Sequence, residues 1–286
     1  MAVPKEEHDE KALVEAAARN WARHWETVVR NSKPSSRVSW RQKLGRLLRR
    51  SGGLELACRI IQKEAGNLPG KLILEAGCGT GEISMRLAQE GGGLVLLDTS
   101  SSAVGYAKIR AENLGFAASA VKASIFDFPF KDGVFDFAFN VGVLDHFGPQ
   151  YRGKAAQEMV RVLKADSRAV ILTNDLRSKI HPIAVKCATK KGIWPFGFKD
   201  AIFSLRDSLE KESKAHIACE YSRGFLSQFE FLRYCLPQNG LIQCLFLHLF
   251  YLLTFPFNLL NRLPGQYLVT VIHKNHTKDD QITPRE

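Results

Sequence analysis

Eleven residues, Leu72–Glu82, constrain this chain more than any other stretch. They read LILEAGCGTGE: an apolar run (Leu72, Ile73, Leu74), then Glu75, then glycine at every second position (Gly77, Gly79, Gly81) around Cys78 and Thr80. A helix-like segment, Glu82–Glu90, follows. The pattern predicts a strand feeding a tight turn into a helix, a geometry that lets a ligand approach backbone N–H groups closely. A dinucleotide fingerprint needs G-x-G-x-x-G, and counting from Gly77 puts Glu82 where its third glycine belongs. Nicotinamide-dependent oxidoreductases are thereby the weakest candidates.

The flanking sequence repeats the same rhythm. Apolar runs at Leu94–Leu97, Ala118–Lys122, Val134–Asn140 and Ala169–Thr173 read as strands, with a last one at Tyr267–His273. Helical patterns over Leu54–Ala65, Ile83–Gln89, Ala103–Asn113 and Lys154–Leu163 separate them. Such alternation predicts an α/β chain whose parallel sheet is covered on both faces. Three strand ends are polar: Glu75, Asp98 and Asn140. Open α/β sheets bind ligands outside their strand C-termini, and Asp98 follows the glycine turn at about the distance where a carboxylate meets a ribose.

The strings LEAGCGTG, LLDTS, FDFPFKDGVFDFAFNVGVLDHF and RVLK, spread over Leu72–Thr173, resemble the class I S-adenosylmethionine (SAM) methyltransferases. The resemblance is to methyltransferase type 11-like enzymes, the small-molecule, lipid and quinone methyltransferases. It implies a Rossmann-like, seven-stranded, mostly parallel sheet with helices on both faces and the last strand antiparallel. It implies SAM as cofactor, S-adenosylhomocysteine as product, and no metal. By the same resemblance Glu75, Gly77 and Gly79 surround the methionine part of SAM, with Cys78 and Gly81 in the same loop. Asp98 takes the ribose, Thr99 flanks the adenosine, Ser124 and Ile125 lie by the adenine, and Asn140 and Val141 lie beside the methionine end.

Two departures stand out. Ser124 occupies a position where the family often has Asp, and a hydroxyl accepts from an exocyclic amine more weakly than a carboxylate. Ala165-Asp166-Ser167 follows RVLK where Pro-Gly-Gly is usual. For the chemistry, His146 in VLDHF is the best-placed general base, with Asp145 beside it. A histidine that only positions its neighbours, or caps a helix, is the commoner alternative.

Outside the core, residues 1–53 read as a helical extension. Leu13, Ala17, Trp21, Trp25 and Val28 share one helical face, which either packs on the domain or lies as a lid over the cofactor. Arg30–Arg50 carries eight cations and no acid: Arg30, Lys33, Arg37, Arg41, Lys43, Arg46, Arg49 and Arg50. With Trp40, Leu44, Leu47 and Leu48 on one face, it reads as a basic amphipathic helix, either a solvated face over a helix packed on the core or a surface for an anionic membrane or phosphates. The core spans 54–175. An insertion at 176–226, with Pro182, Pro195, Lys186, Lys190, Lys191, Lys199, Trp194, Phe196 and Phe198, belongs to the substrate side. Residues 227–275 complete the sheet and 276–286 form a polar tail.

Within 227–275, Ser227-x-x-Glu230 reads as a capping box for a helix over Gln228–Leu236. Leu241–Leu260 is uncharged over 20 residues, long enough to span a bilayer by length alone. A strand at Leu241–Leu245 in the same sheet as Tyr267–His273 argues against a single crossing. The stretch then reads as a strand followed by a short apolar helix or hairpin, filling the core, lining a greasy pocket or dipping into a membrane interface.

A net charge of +11 favours anionic neighbours. The six cysteines are scattered, without C-x-x-C spacing, so neither a disulfide framework nor a zinc site is expected, and a reducing cytoplasmic setting fits. The charged N-terminus lacks the apolar run of a secretory signal. These readings converge on SAM-dependent O- or C-methylation of a small, lipophilic acceptor by a cytoplasmic protein, peripherally membrane-associated if the basic segment is used. Nucleic acid is the less favoured partner, since NVGV stands where an Asn-Pro-Pro-Tyr-like motif would mark base methylation. RNA methylation on the basic surface and a non-catalytic SAM-binding scaffold are the alternatives.

Overall fold

The computed structural model describes residues 5–32, 49–193, 202–213 and 216–274. Helices α1 (Lys5–Arg30) and α2 (Gly53–Ala65) precede strand β1 (Leu72–Ala76), which turns through the glycines into α3 (Glu82–Ala88). Next come β2 (Gly93–Asp98), α4 (Ser101–Asn113), β3 (Ala118–Lys122) and β4 (Phe135–Val141). A 3-10 turn, Leu144–His146, leads into α5 (Pro149–Val162) and β5 (Leu163–Asn174). Helices α6 (Ile180–Lys190) and α7 (Arg206–Ser213) precede β6 (His216–Arg223). The connection to β7 (Tyr267–His273) holds a 3-10 segment, Ser227–Cys235, then α8 (Gly240–Thr254) and a second 3-10 segment, Phe255–Arg262.

Seven strands form one sheet in the order β3-β2-β1-β4-β5-β7-β6. All are parallel except β7, which runs against both β5 and β6. The expected fold class, a mostly parallel seven-stranded sheet with its last strand reversed, is the observed one. Central strands are buried on both faces, so they read as continuous apolar runs. The alternation within β4 shows this. Phe137 and Phe139 pack on the face covered by α2 and α3, whereas Ala138 points to the α5 face. Phe135 also reaches the α5 side, at the point where the β4–β5 register shifts. At Ala165-Asp166-Ser167 the chain needs a left-handed residue, and Asp166 adopts φ 59° there, a conformation Asp tolerates better than most side chains.

The C-terminal third departs from expectation in three ways. Leu241–Leu245 is not a strand but the start of α8. The seventh strand of the sheet is β6, His216–Arg223, which lies inside the stretch read as an insertion. Two excursions therefore exist, one carrying α6 and α7 before β6, the other carrying α8 between β6 and β7. Ser227 and Glu230 form no capping box. The Ser227 hydroxyl donates to Gly224 O at 3.1 Å, and Glu230 is taken by distant donors, the Gly53 N–H and the Tyr251 hydroxyl, each at 2.9 Å. The segment is accordingly a 3-10 helix rather than an α-helix.

Residues 33–48, with most of the basic run and Trp40, Leu44, Leu47 and Leu48, lie outside the described residues. So do residues 194–201, with Trp194, Pro195, Phe196, Phe198 and Lys199, and the tail from 275 onward.

Candidate active site

Strand order reverses between β1 and β4, since β2 and β3 continue on one side and β5 on the other. A crevice opens at such a switch point, outside the strand C-termini. The glycine loop forms its floor. Gly77 and Cys78 both donate their N–H groups to Leu97 O, at 2.7 and 2.9 Å, which latches the loop onto β2. Gly77 has φ 81°, and a Cβ there would stand 2.5 Å from Val143 Cγ2. Only glycine fits. Glu82, standing where a dinucleotide loop would place glycine, instead pairs with Arg110 and Arg86.

Asp98, at the end of β2, is buried, and each of its carboxylate oxygens holds a backbone donor. Gly79 N–H reaches Oδ2 and Ser100 N–H reaches Oδ1, both at 2.9 Å. Burial raises its pKa, and the Ser100, Gly79 and Thr99 N–H groups oppose that rise. Each oxygen keeps a lone pair for a ligand hydroxyl. Thr99 follows at an exposed bend.

Two further acceptors at neighbouring strand ends lack donors. Glu75 is only 4% exposed and its Oε2 has no hydrogen-bond partner. Burial pushes its carboxyl up to about 8, against a partial pull from Ser84. Asn140, 1% exposed, donates from Nδ2 to Ala76 O at 2.6 Å and leaves Oδ1 unpartnered. Buried acceptors without donors are costly, so these atoms suit a ligand that brings N–H or ammonium groups. Val141 continues β4 half-buried.

At the far side of the crevice, Ile125 is buried and the Ser124 hydroxyl already accepts Phe126 N–H at 3.2 Å. The Cys78 thiol is buried in the loop, and burial holds its pKa well up, so it is a packing residue rather than a nucleophile.

Helix α1 covers the loop. The Trp25 indole lies so close to Gly79 that a Cβ there would come within 2.5 Å of Cζ2. Trp21 stacks on Trp25 with ring centroids 5.8 Å apart and meets the His146 ring edge-on at 5.0 Å. The two tryptophans thus rest on the glycine loop and the His146 turn. Asp145 faces elsewhere. Its Oδ2 accepts Asn174 N–H and Nδ2, at 3.0 and 2.6 Å, anchoring the Leu144–His146 turn to the end of β5. Burial pushes that carboxyl up to about 6, opposed by Asn174 and the nearby Arg152 guanidinium. Arg152 also donates Nε to Leu144 O at 3.3 Å. Asn174 and Arg152 were invisible in the sequence, since neither belongs to a pattern and both act over tertiary distance.

Among the described residues, no group of three or more His, Cys, Asp or Glu side chains is arranged to hold a metal ion. A cavity of about 990 Å³ opens between α2, α3 and α8, and it shares only Glu82 with the residues of the glycine motif.

Residues 73–166 match the family model of the methyltransferase domain. Over that stretch, about a third of the chain, the sequence is that of a methyltransferase domain. Among curated proteins, none matches the sequence. Solved structures resemble the fold at low identity. Geranyl diphosphate C-methyltransferase from Streptomyces coelicolor A3(2), crystallised with Mg2+, geranyl diphosphate and S-adenosylhomocysteine, is 13% identical, with a TM-score of 0.54 over 77% of this chain and 78% of that one. The cyclopropane synthase MmaA2 from Mycobacterium tuberculosis is 15% identical, with a TM-score of 0.54 over 77% and 84%. The cyclase SpnF is 16% identical, with a TM-score of 0.55 over 78% and 81%. A cyclase on this fold shows that the architecture alone does not dictate the reaction.

Proposed function

We propose that this methyltransferase transfers the methyl group of SAM to a small, lipophilic acceptor, at oxygen or carbon. The observation that carries the reading is the acceptor set at three adjacent strand ends: Asp98, and the unpartnered Glu75 Oε2 and Asn140 Oδ1. That set matches the hydroxyl and ammonium donors of SAM. When bound, SAM supplies a methyl on a sulfonium, open to in-line displacement.

The chain's own residues then bind and align. Asp98 accepts the ribose hydroxyls with the lone pairs its backbone donors leave free. Glu75 and Asn140 accept from the methionine amino group, while Gly77, Cys78, Gly79, Gly81 and Val141 shape the surrounding wall. Thr99, Ser124 and Ile125 flank the adenosine, and Ser124, with its hydroxyl engaged by Phe126 N–H, gives a weaker grip than a carboxylate. Trp21 and Trp25 exclude water from the loop, which favours a single near-attack geometry. His146 acts as a positioning residue for Trp21, and Asp145 holds the turn that carries it.

An acceptor of lipophilic type is supported by the aromatic cover of the site. The company of the fold agrees, since relatives include an enzyme crystallised with geranyl diphosphate and a cyclopropane synthase. The test is to incubate the full chain with methyl-labelled SAM and separate lipid, aqueous small-molecule and RNA fractions. Label in the lipid fraction supports the reading. Label confined to RNA would move the acceptor to the basic surface, and no label anywhere would make the protein a scaffold.

A further inference from the structure

Helix α8 and the 3-10 segment after it carry an apolar surface that the fold leaves uncovered. Leu241, Leu245, Leu249, Leu252 and Leu253 are between 52% and 77% exposed. Their spacing of four, four and three to four residues puts them on one broad helical face. Phe257 and Leu259 prolong that face beyond Pro256. The opposite face is fixed to the protein: Phe250 is buried, Tyr251 donates to Glu230, and Thr254 bonds Ser51. Soluble monomers rarely expose a continuous apolar patch of this extent.

Gly240–Arg262, α8 with the 3-10 segment that continues it, is long and apolar enough to cross a membrane by length and composition alone. The fold nevertheless holds it along one side through Tyr251 and Thr254. Both ends are also tied to one body. Gln243 donates to Arg233 O near the start, and Asn261 binds Ser51 O, Leu226 N–H and Ser227 N–H at the end.

Charge decides what covers the face. From Phe231 to Arg262 the chain has no acidic residue, and its two cations, Arg233 (which also pairs with Glu230) and Arg262, flank the uncharged stretch. Lys191 joins the same rim by donating to Tyr234 O and Leu236 O, and Arg59 does so at the other end by donating to Asn258. A second copy of the chain on this face would set cationic rims against each other, which is unfavourable. An anionic lipid surface offers both an apolar layer and opposite charge.

We propose that α8 and the Phe255–Arg262 segment dock the protein on an anionic bilayer, lying in the interface with the Leu face immersed and the Arg/Lys rim at the headgroups. This surface stands apart from the acceptor reading, and either can hold without the other.

The experiment is co-sedimentation of the full chain with vesicles of phosphatidylcholine, alone or with about a third phosphatidylglycerol. The wild type pellets with the mixed vesicles, at least tenfold more than with phosphatidylcholine alone, and the difference shrinks at high salt as charges are screened. The triple variant Leu245→Gln/Leu249→Gln/Leu253→Gln loses binding at least tenfold while its melting temperature does not fall, because these side chains face solvent in the free protein. Equal pelleting of wild type and variant would overturn the proposal. So would wild-type protein that ignores vesicles and instead forms a concentration-dependent dimer abolished by the same substitutions.

Discussion

Glu75 offers the sharpest consequence of the site. Its carboxyl is buried, has one oxygen without a donor, and is pushed up to about 8 from an ordinary 4.5. At pH 7 about nine in ten of the free molecules therefore keep the proton on Glu75. A ligand ammonium beside that carboxyl favours the ionised form, so binding must expel the proton. Isothermal titration of S-adenosylhomocysteine in buffers of different ionisation enthalpy should show release of about 0.9 proton at pH 7. Affinity should rise with pH and level off above pH 8, being about 50-fold weaker at pH 6 than at pH 8. The unliganded protein runs the other way. A raised carboxyl pKa means the folded chain holds the proton through the window from 4.5 to about 8, so this group's contribution to stability is lost as pH rises through it. Between pH 4.5 and 7 the loss is about 3 kcal/mol. Glu75→Gln cannot titrate, so it removes both effects and leaves the ligand's own ionisation as the baseline. Wild-type binding without proton release, or a pH profile shared with the Gln variant, would refute the reasoning.

Two other substitutions probe the loop and its cover. Gly77→Ala forces a left-handed alanine and drives its Cβ against Val143, so urea unfolding should show a loss of about 2–4 kcal/mol. Gly70→Ala, with a similar φ of 79° but open space around it, should lose only the conformational part, and equal losses would contradict the close packing. His146→Ala deletes an edge contact with Trp21 worth about 0.5–1.5 kcal/mol. It should raise the KM for SAM several-fold and leave the pH profile of kcat intact. A lost limb in that profile with unchanged KM would make His146 a base instead.

The half that carries β1 to β5 is legible because its signals are local. Glycines at alternate positions dictate a turn, and β1, β2 and β4 are apolar runs that end in Glu75, Asp98 and Asn140. Strand β6 was not legible because it is an edge strand with mixed exposure: His216, Cys219 and Glu220 leave little alternation to read. Leu241–Leu245 misled for the opposite reason. It is apolar enough for a buried strand, but it is Leu-rich with one β-branched residue, and such a sequence favours helix when no sheet claims it. Glu230 mimicked a capping box until Gly53 N–H and Tyr251 OH, far away in sequence, took its carboxylate. Asn261 had no signal at all. It is 2% exposed and joins Ser51, Gly224, Leu226 and Ser227, contacts that exist only once the chain has folded. Trp21 and Trp25 do share one face, but periodicity alone does not say whether that face meets the sheet or the glycine loop.

The claim at the centre is that the ends of β1, β2 and β4 form the SAM cradle, and Asp98 is its clearest element. Equilibrium titration of SAM into wild type and Asp98→Ala tests it directly. The substitution removes a charged acceptor for two ribose hydroxyls, each bond worth about 1.5–3 kcal/mol, and frees the Gly79 and Ser100 N–H groups. SAM binding to Asp98→Ala should be weaker by about 100-fold or more in a variant that still folds. Undiminished SAM binding by Asp98→Ala would contradict that claim.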